Sequence, residues 1–149
     1  MKHLIFVCHG NICRSPMAAF VMEALLKEAH RDEEFVISSA ATSTEEIGHG
    51  VHYGTRKVCD AHHIPWDQHH HAHQITLQEA RTCDLILTMD SANVRNLKRM
   101  LPVDVHHKIY PLLSYANLSR DIADPWYTGD FETTYSDVLL GCKALLATL

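Results

Sequence analysis

Two periodicities alternate along this chain. The run Leu4-Ile5-Phe6-Val7 is continuously apolar and short, which predicts a buried strand over Lys2–Val7. Immediately after it, apolar residues recur at Met17, Phe20, Val21, Ala24 and Leu25, the spacing of one helical face. A helix is predicted over Pro16–Ala29, with Ser15 as its cap and Pro16 at the first helical position. Phe35–Ser39 reads as a second strand, and the glycine- and hydroxyl-rich Ala40–Gly54 as loop. Thr55–His63 reads as a short helix, Ile64–His73 as a polar loop around Pro65, and Leu77–Arg81 as a helical turn. A third strand is predicted at Asp84–Met89, then a helix over Ser91–Met100 capped by Asp90 or Ser91. Val105–Ile109 is the fourth strand candidate. Pro111–Gly129 reads as one long loop, and Phe131–Leu149 closes the chain as an amphipathic helix.

Strands alternating with helices imply an α/β fold, a parallel sheet covered by helices on both faces. No repeat, linker or low-complexity stretch interrupts residues 1–149, so a single domain is expected. Ligands of such sheets lie beyond the carboxyl ends of the strands, where Cys8 falls.

Composition narrows the function classes. The formal net charge of −5 offers no global basic footprint for nucleic acid. No apolar run is long enough to cross a bilayer, and the four apolar residues before Cys8 are too few for a signal-peptide core. The five cysteines are an odd number without C-x-x-C spacing, so reduced thiols in a cytoplasmic protein are expected.

The candidate chemistry lies in VCHGNICRSP, Val7–Pro16, between the first strand and the first helix. A tight turn into a helix aims several backbone N–H groups at one point, and the helix N-terminus adds partial positive charge. Gly10 permits unusual backbone angles and Asn11 tolerates left-handed ones. Such a nest suits a dianion. Arg14 can return to the same cavity and clamp two oxygens. The same field favours a thiolate at Cys8, which the Ser15 hydroxyl can hydrogen-bond. C-x5-R-S therefore places a nucleophile under an oxyanion cradle. A cysteine at a strand end is usually a small core residue, and C-x5-R alone recurs by chance. The full string between strand and helix is what makes the reading specific.

These residues carry a resemblance. VCHGNICRSPMA resembles the signature of the low-molecular-weight protein tyrosine phosphatases. SSAATSTEEIG, HAHQIT, CDLILTMDSANVRNL and ADPWYTGDF resemble further segments of that family in the right order. The resemblance implies a four-stranded parallel sheet with helices on both faces. It implies hydrolysis of phosphotyrosine in proteins through a phosphocysteine, with no cofactor and no metal. Phosphotyrosine proteins would be the partners, inorganic phosphate the product and inhibitor, and the protein a monomer or weak homodimer.

Roles carry over by position. Cys8 would attack phosphorus and Arg14 would orient the phosphoryl oxygens. His9, Gly10, Ile12 and Cys13 complete the cradle. Asn11 would hold its shape together with Ser15 and Ser39, and His70 aligns with a histidine that supports that asparagine. Asp124 would be the general acid: the departing phenolate needs a proton, and the same carboxylate can then activate water. Trp126 and Tyr127 would wall a slot deep enough to exclude phosphoserine, with Tyr127 the favoured wall. Cys13 would form a reversible disulfide with Cys8 under peroxide.

Some positions depart from the family pattern. Ala19 stands where glutamate is common, His9 where an apolar residue is usual, and His73 where an arginine is. Glu45 replaces an aromatic or bulky wall residue, which would weaken ring stacking and repel acidic peptides. Histidines crowd residues 49–73. Such a tract could bind a metal, but solvated loop histidines, with one structural, are the simpler reading. Core packing is the expected role of Cys59, Cys83 and Cys142.

Three other readings share the scaffold. A protein-arginine phosphatase tends to have threonine where Ile12 stands. An arsenate reductase needs two further relay cysteines, and a phosphocysteine carrier needs no acid at position 124.

Overall fold

A computed structural model describes Met1–Leu149. Its strands are β1 (Lys2–Cys8), β2 (Phe35–Ala41), β3 (Leu85–Thr88) and β4 (Ile109–Pro111). Its helices are α1 (Arg14–Glu28), α2 (Tyr53–Ala61), α3 (Leu77–Thr82), α4 (Ser91–Met100), α5 (Pro125–Thr128) and α6 (Phe131–Leu146). Short 3₁₀ turns occupy Asp32–Glu34, Val103–Lys108 and Leu112–Ala116.

All strand pairs are parallel, in the order β2-β1-β3-β4. β1 is therefore interior, and the period-2 alternation of side chains divides its residues between two cores. Leu4, Phe6 and Cys8 face a cluster built with Met17, Val21, Val138 and Leu145, residues of α1 and α6. Ile5 and Val7 face the opposite cluster with Ala80, Ile86, Leu97 and Ile109, beneath α3 and α4. Burial on both faces explains why β1 reads as an unbroken apolar run. The connection from β1 leads to β2 on one side, while β3 lies on the other. This reversal opens a crevice at the carboxyl end of β1, at Cys8.

Two glycines allow elements to meet closely. A Cβ on Gly54 would lie 2.3 Å from Phe131 Cζ, and one on Gly141 would lie 2.6 Å from Leu112 Cγ.

Several boundaries differ from the sequence reading. α1 begins at Arg14 with Cys13 as its cap residue, so Ser15 is not the cap. The Ser15 N–H is directed to Cys8 Sγ instead, and its Oγ accepts from the Cys8 thiol. Pro16 stands inside the first turn, where its missing donor is tolerated. The fourth strand is Ile109–Pro111, not Val105–Ile109, because Val103–Lys108 coils into 3₁₀ turns. That coil buries Val105 and lets Lys108 Nζ donate to the carbonyls of Ala80, Arg81 and Cys83 at the end of α3. The predicted loop over 111–129 contains a 3₁₀ turn and α5, α2 starts two residues early at Tyr53, and α6 stops at Leu146. Asp90, not Ser91, caps α4, in a reciprocal box with Asn93. No helix is long and apolar enough to cross a membrane.

Candidate active site

The loop from β1 to α1 is shaped by what its carbonyls find. Cys8 O accepts from Thr42 N–H and His9 O from Ser43 N–H, both at 3.0 Å. Asn11 O accepts from His70 Nε2 at 2.8 Å, Ile12 O from His52 N–H at 2.9 Å, and Cys13 O from Thr55 Oγ1 at 3.1 Å. In a trans peptide the next N–H points opposite to the carbonyl, so turning these oxygens outward turns the amide hydrogens inward. Asn11 adopts φ +60°, the left-handed conformation that asparagine tolerates. Its side chain braces the turn: Nδ2 donates to Ser15 Oγ at 2.8 Å and to Ser39 Oγ at 2.9 Å, and Oδ1 accepts from His73 N–H.

Cys8 Sγ sits at the base of this nest. Asn11 N–H and Ser15 N–H point at it from 3.3 and 3.4 Å, and Ser15 Oγ lies 3.1 Å away. Arg14 is 2% exposed and crosses the floor of the cavity. Its Nη1 donates to Asp90 Oδ2 at 2.8 Å and to Ile122 O at 2.9 Å, and its Nη2 to Asp124 Oδ2 at 3.3 Å. Burial opposes the guanidinium charge, but Cys8, Asp90 and Asp124 outweigh it, and the Arg14 pKa is raised. Asp124 caps α5, accepting Trp126 N–H on its other oxygen at 3.0 Å, with Pro125 buried behind it.

Above this floor opens a cavity of about 120 Å³. Ile12 and Cys13 line it on one side, and Trp126 and Tyr127 on the other. Trp126 and Tyr127 are 58% and 83% exposed, so neither is core. Trp126 is set edge-on against His52, whose ring stacks on Phe131. Glu45 reaches the mouth as expected from its position, but it is paired with His9 at 2.9 Å, so the pair is bridged across the rim. Glu46, not singled out from sequence, also lines the mouth and is held by His49.

The histidine tract is more structured than solvated loop histidines would be. His70 supports Asn11 O, His71 contacts Gly48 O, His73 pairs with Glu79, and His52 caps α2 by accepting Gly54 N–H. No group of three or more His, Cys, Asp or Glu side chains stands close enough to hold a metal ion. Because Asn11 O can only accept, the His70 Nε2 carries a proton, and burial first of all lowers the ring's pKa. Cys13 is buried; burial, and then the neighbouring Cys8, push its thiol pKa up. All five cysteines are free, and Cys59, Cys83 and Cys142 are buried in the cores. Asp90, read from sequence only as a helix cap, also grips Arg14. Its place at the carboxyl end of β3 was the available signal.

A thiol in an amide nest, a buried arginine across it and a carboxylate at the rim meet at the crevice of a parallel sheet. A family model described as low molecular weight phosphotyrosine protein phosphatase matches residues 3–149. The chain belongs to that family. It is 35% identical over 147 residues to the low molecular weight protein-tyrosine-phosphatase PtpA of Staphylococcus aureus, covering 98% of this chain and 92% of PtpA. Among solved structures, SP-PTP of Streptococcus pyogenes superposes with a TM-score of 0.88 at 41% identity, over 100% of this chain and 93% of that one. YfkJ of Bacillus subtilis superposes with a TM-score of 0.94 at 34% identity, over 99% and 94%.

Proposed function

We propose that the protein hydrolyses phosphotyrosine in proteins through a phosphocysteine at Cys8. The observation that carries this reading is the convergence on Cys8 Sγ of two backbone N–H groups, with Ser15 Oγ at 3.1 Å, within the cavity that Arg14 and Asp124 share. In the first step the Cys8 sulfur attacks phosphorus and the bond from phosphorus to the phenolic oxygen breaks. Asp124 gives its proton to that oxygen, and tyrosine leaves. In the second step the Asp124 carboxylate takes a proton from water, whose oxygen attacks phosphorus as the S–P bond breaks. Phosphate and the thiolate are released.

Arg14 and the inward amides of Gly10, Ile12 and Cys13 hold the equatorial oxygens in both steps. Ile12, Trp126 and Tyr127 supply apolar walls for a phenyl ring, which favours tyrosine over arginine at the leaving group. Inorganic phosphate, the product, fits the same cradle and inhibits. The raised pKa of Cys13 keeps it a thiol beside the reacting Cys8, available to close a disulfide when peroxide oxidises Cys8.

The test is phosphate release from a phosphotyrosine peptide and a phosphoarginine peptide, with Cys8→Ser as control. Turnover of phosphotyrosine that vanishes in the variant is expected. Turnover of phosphoarginine alone would overturn the substrate assignment, and turnover by Cys8→Ser would overturn the mechanism.

A further inference from the structure

The segment that delivers Asp124 is gripped from two sides. Towards α4, Ile122 N–H donates to Met89 O at 2.8 Å, and Ser91 N–H donates to Asp121 Oδ1 at 3.0 Å. Towards α6, Thr134 Oγ1 donates to Ala123 O at 3.0 Å. Arg120 adds a two-pronged ion pair with Asp137, Nη1 to Oδ2 at 2.7 Å and Nη2 to Oδ1 at 2.8 Å. Thr134 and Asp137 lie three residues apart and so share one face of α6. The helix thus holds the segment at residues 120 and 123, on either side of Ile122.

This grip is half-buried: the Arg120 side chain is 53% exposed, while the carboxylate it holds is largely covered. Asp137 is 8% exposed, and Arg120 is the partner of both its oxygens. What restrains the pair is geometry: both nitrogens of the fork meet both oxygens of one largely covered carboxylate. The planar fork fixes direction as well as distance. Four residues further on stands Asp124, and between them Ile122 O accepts from Arg14. Neither Arg120 nor Asp137 lines the cavity.

We infer that Arg120 and Asp137 are a positioning pair for the general acid, setting where the Asp124 carboxylate stands relative to Cys8 and Arg14. The inference rests on Asp124 being the proton donor. α6 then does more than cover the sheet: it transmits its own position to the proton-transfer step. Arg14 keeps its second anchor on Asp90, so loosening the clamp moves the acid more than the phosphate cradle.

The experiment measures phosphoenzyme formation by Arg120→Ala, Arg120→Lys and Asp137→Asn with aryl phosphates of graded leaving-group pKa. Asp124→Asn is run beside them, and inorganic phosphate affinity and thermal midpoint are recorded for each. Arg120→Ala and Asp137→Asn are expected to lose about 10- to 100-fold on phosphotyrosine, the scale of a displaced catalytic group. They are expected to lose little on phosphates with activated leaving groups, which need no proton. Phosphate affinity should be unchanged, and Arg120→Lys, which keeps the charge but not the fork, should fall between. A loss uniform across leaving groups, or a lowered thermal midpoint with normal kinetics, would make the pair structural only and overturn the inference. If Arg120→Ala fails to fold, Arg120→Lys carries the same comparison. If Asp124→Asn itself shows no leaving-group dependence, the acid assignment has failed, and the pair has no acid to position.

Discussion

Asn11 shows how much one residue can be asked to hold. It takes a left-handed backbone, donates to two serines and accepts from His70 and His73. Its place in the tight loop between β1 and α1 was legible from VCHGNICRSP, as were those of Cys8, Arg14 and Ser15, because one short segment carries them all. The partners of Arg14 were not legible. Asp90 and Asp124 lie 76 and 110 residues away, and no local pattern connects them. Arg14→Lys is expected to lose the fork and leave one of these carboxylates unanswered. Phosphate affinity should fall roughly 10- to 100-fold, the equivalent of one charge-assisted bond of about 1.5–3 kcal/mol, measurable by calorimetric titration.

His70 makes a prediction about pH at the same scale. Burial lowers its pKa below the ordinary 6.5, so as pH falls the unfolded chain takes up the proton first. The contribution of the neutral ring is complete above 6.5 and is lost as pH falls from there through the folded value. Urea unfolding at about pH 7.5 and about pH 5.5 should show wild type losing more stability on acidification than His70→Gln, whose side chain does not titrate. Equal losses would remove His70 from the balance.

Among the elements, sequence reading succeeded where periodicity was long and failed where tertiary demands overrode it. Ser15 and Pro16 have the chemistry of a helix start, yet the Ser15 N–H is drawn to the Cys8 sulfur and the helix begins two residues earlier than expected, at Arg14. Val105 and Ile109 both face the core, but 3₁₀ turns, not extended backbone, bring Val105 there. Gly54 near the start of α2 cannot be understood from its own segment at all, since it is the Phe131 ring of α6 that excludes a side chain. Gly54→Ala is expected to cost about 1–3 kcal/mol through that clash. The neighbouring Thr55 and His52 anchor the loop between β1 and α1, so activity should drop with stability. Denaturant melts and kcat/KM on one preparation would check both.

At the level of the whole molecule, the alternation of strands and helices was enough to indicate a parallel sheet with a crevice at Cys8. Strand order was not, because it depends on pairings distant in sequence. The site draws on β1, β2, α1, α2 and α5, so a ligand there should stabilise the fold globally. Inorganic phosphate at about 100 times its dissociation constant is expected to add about 2.7 kcal/mol to unfolding, read as a rise in thermal midpoint. Cys8→Ser, which leaves the amide nest in place, should keep that rise, and its disappearance would mean that the sulfur itself organises the cradle.

The outward carbonyls of the loop between β1 and α1 carry a consequence for engineering. Their donors are Thr42, Ser43, His52, Thr55 and His70, spread over more than one element and none of them within the decapeptide. The ten residues are therefore not a transplantable unit. Grafted onto another strand–turn–helix without those donors, the same letters would leave the carbonyls free to turn inward, and an anion would meet oxygen where it needs hydrogen.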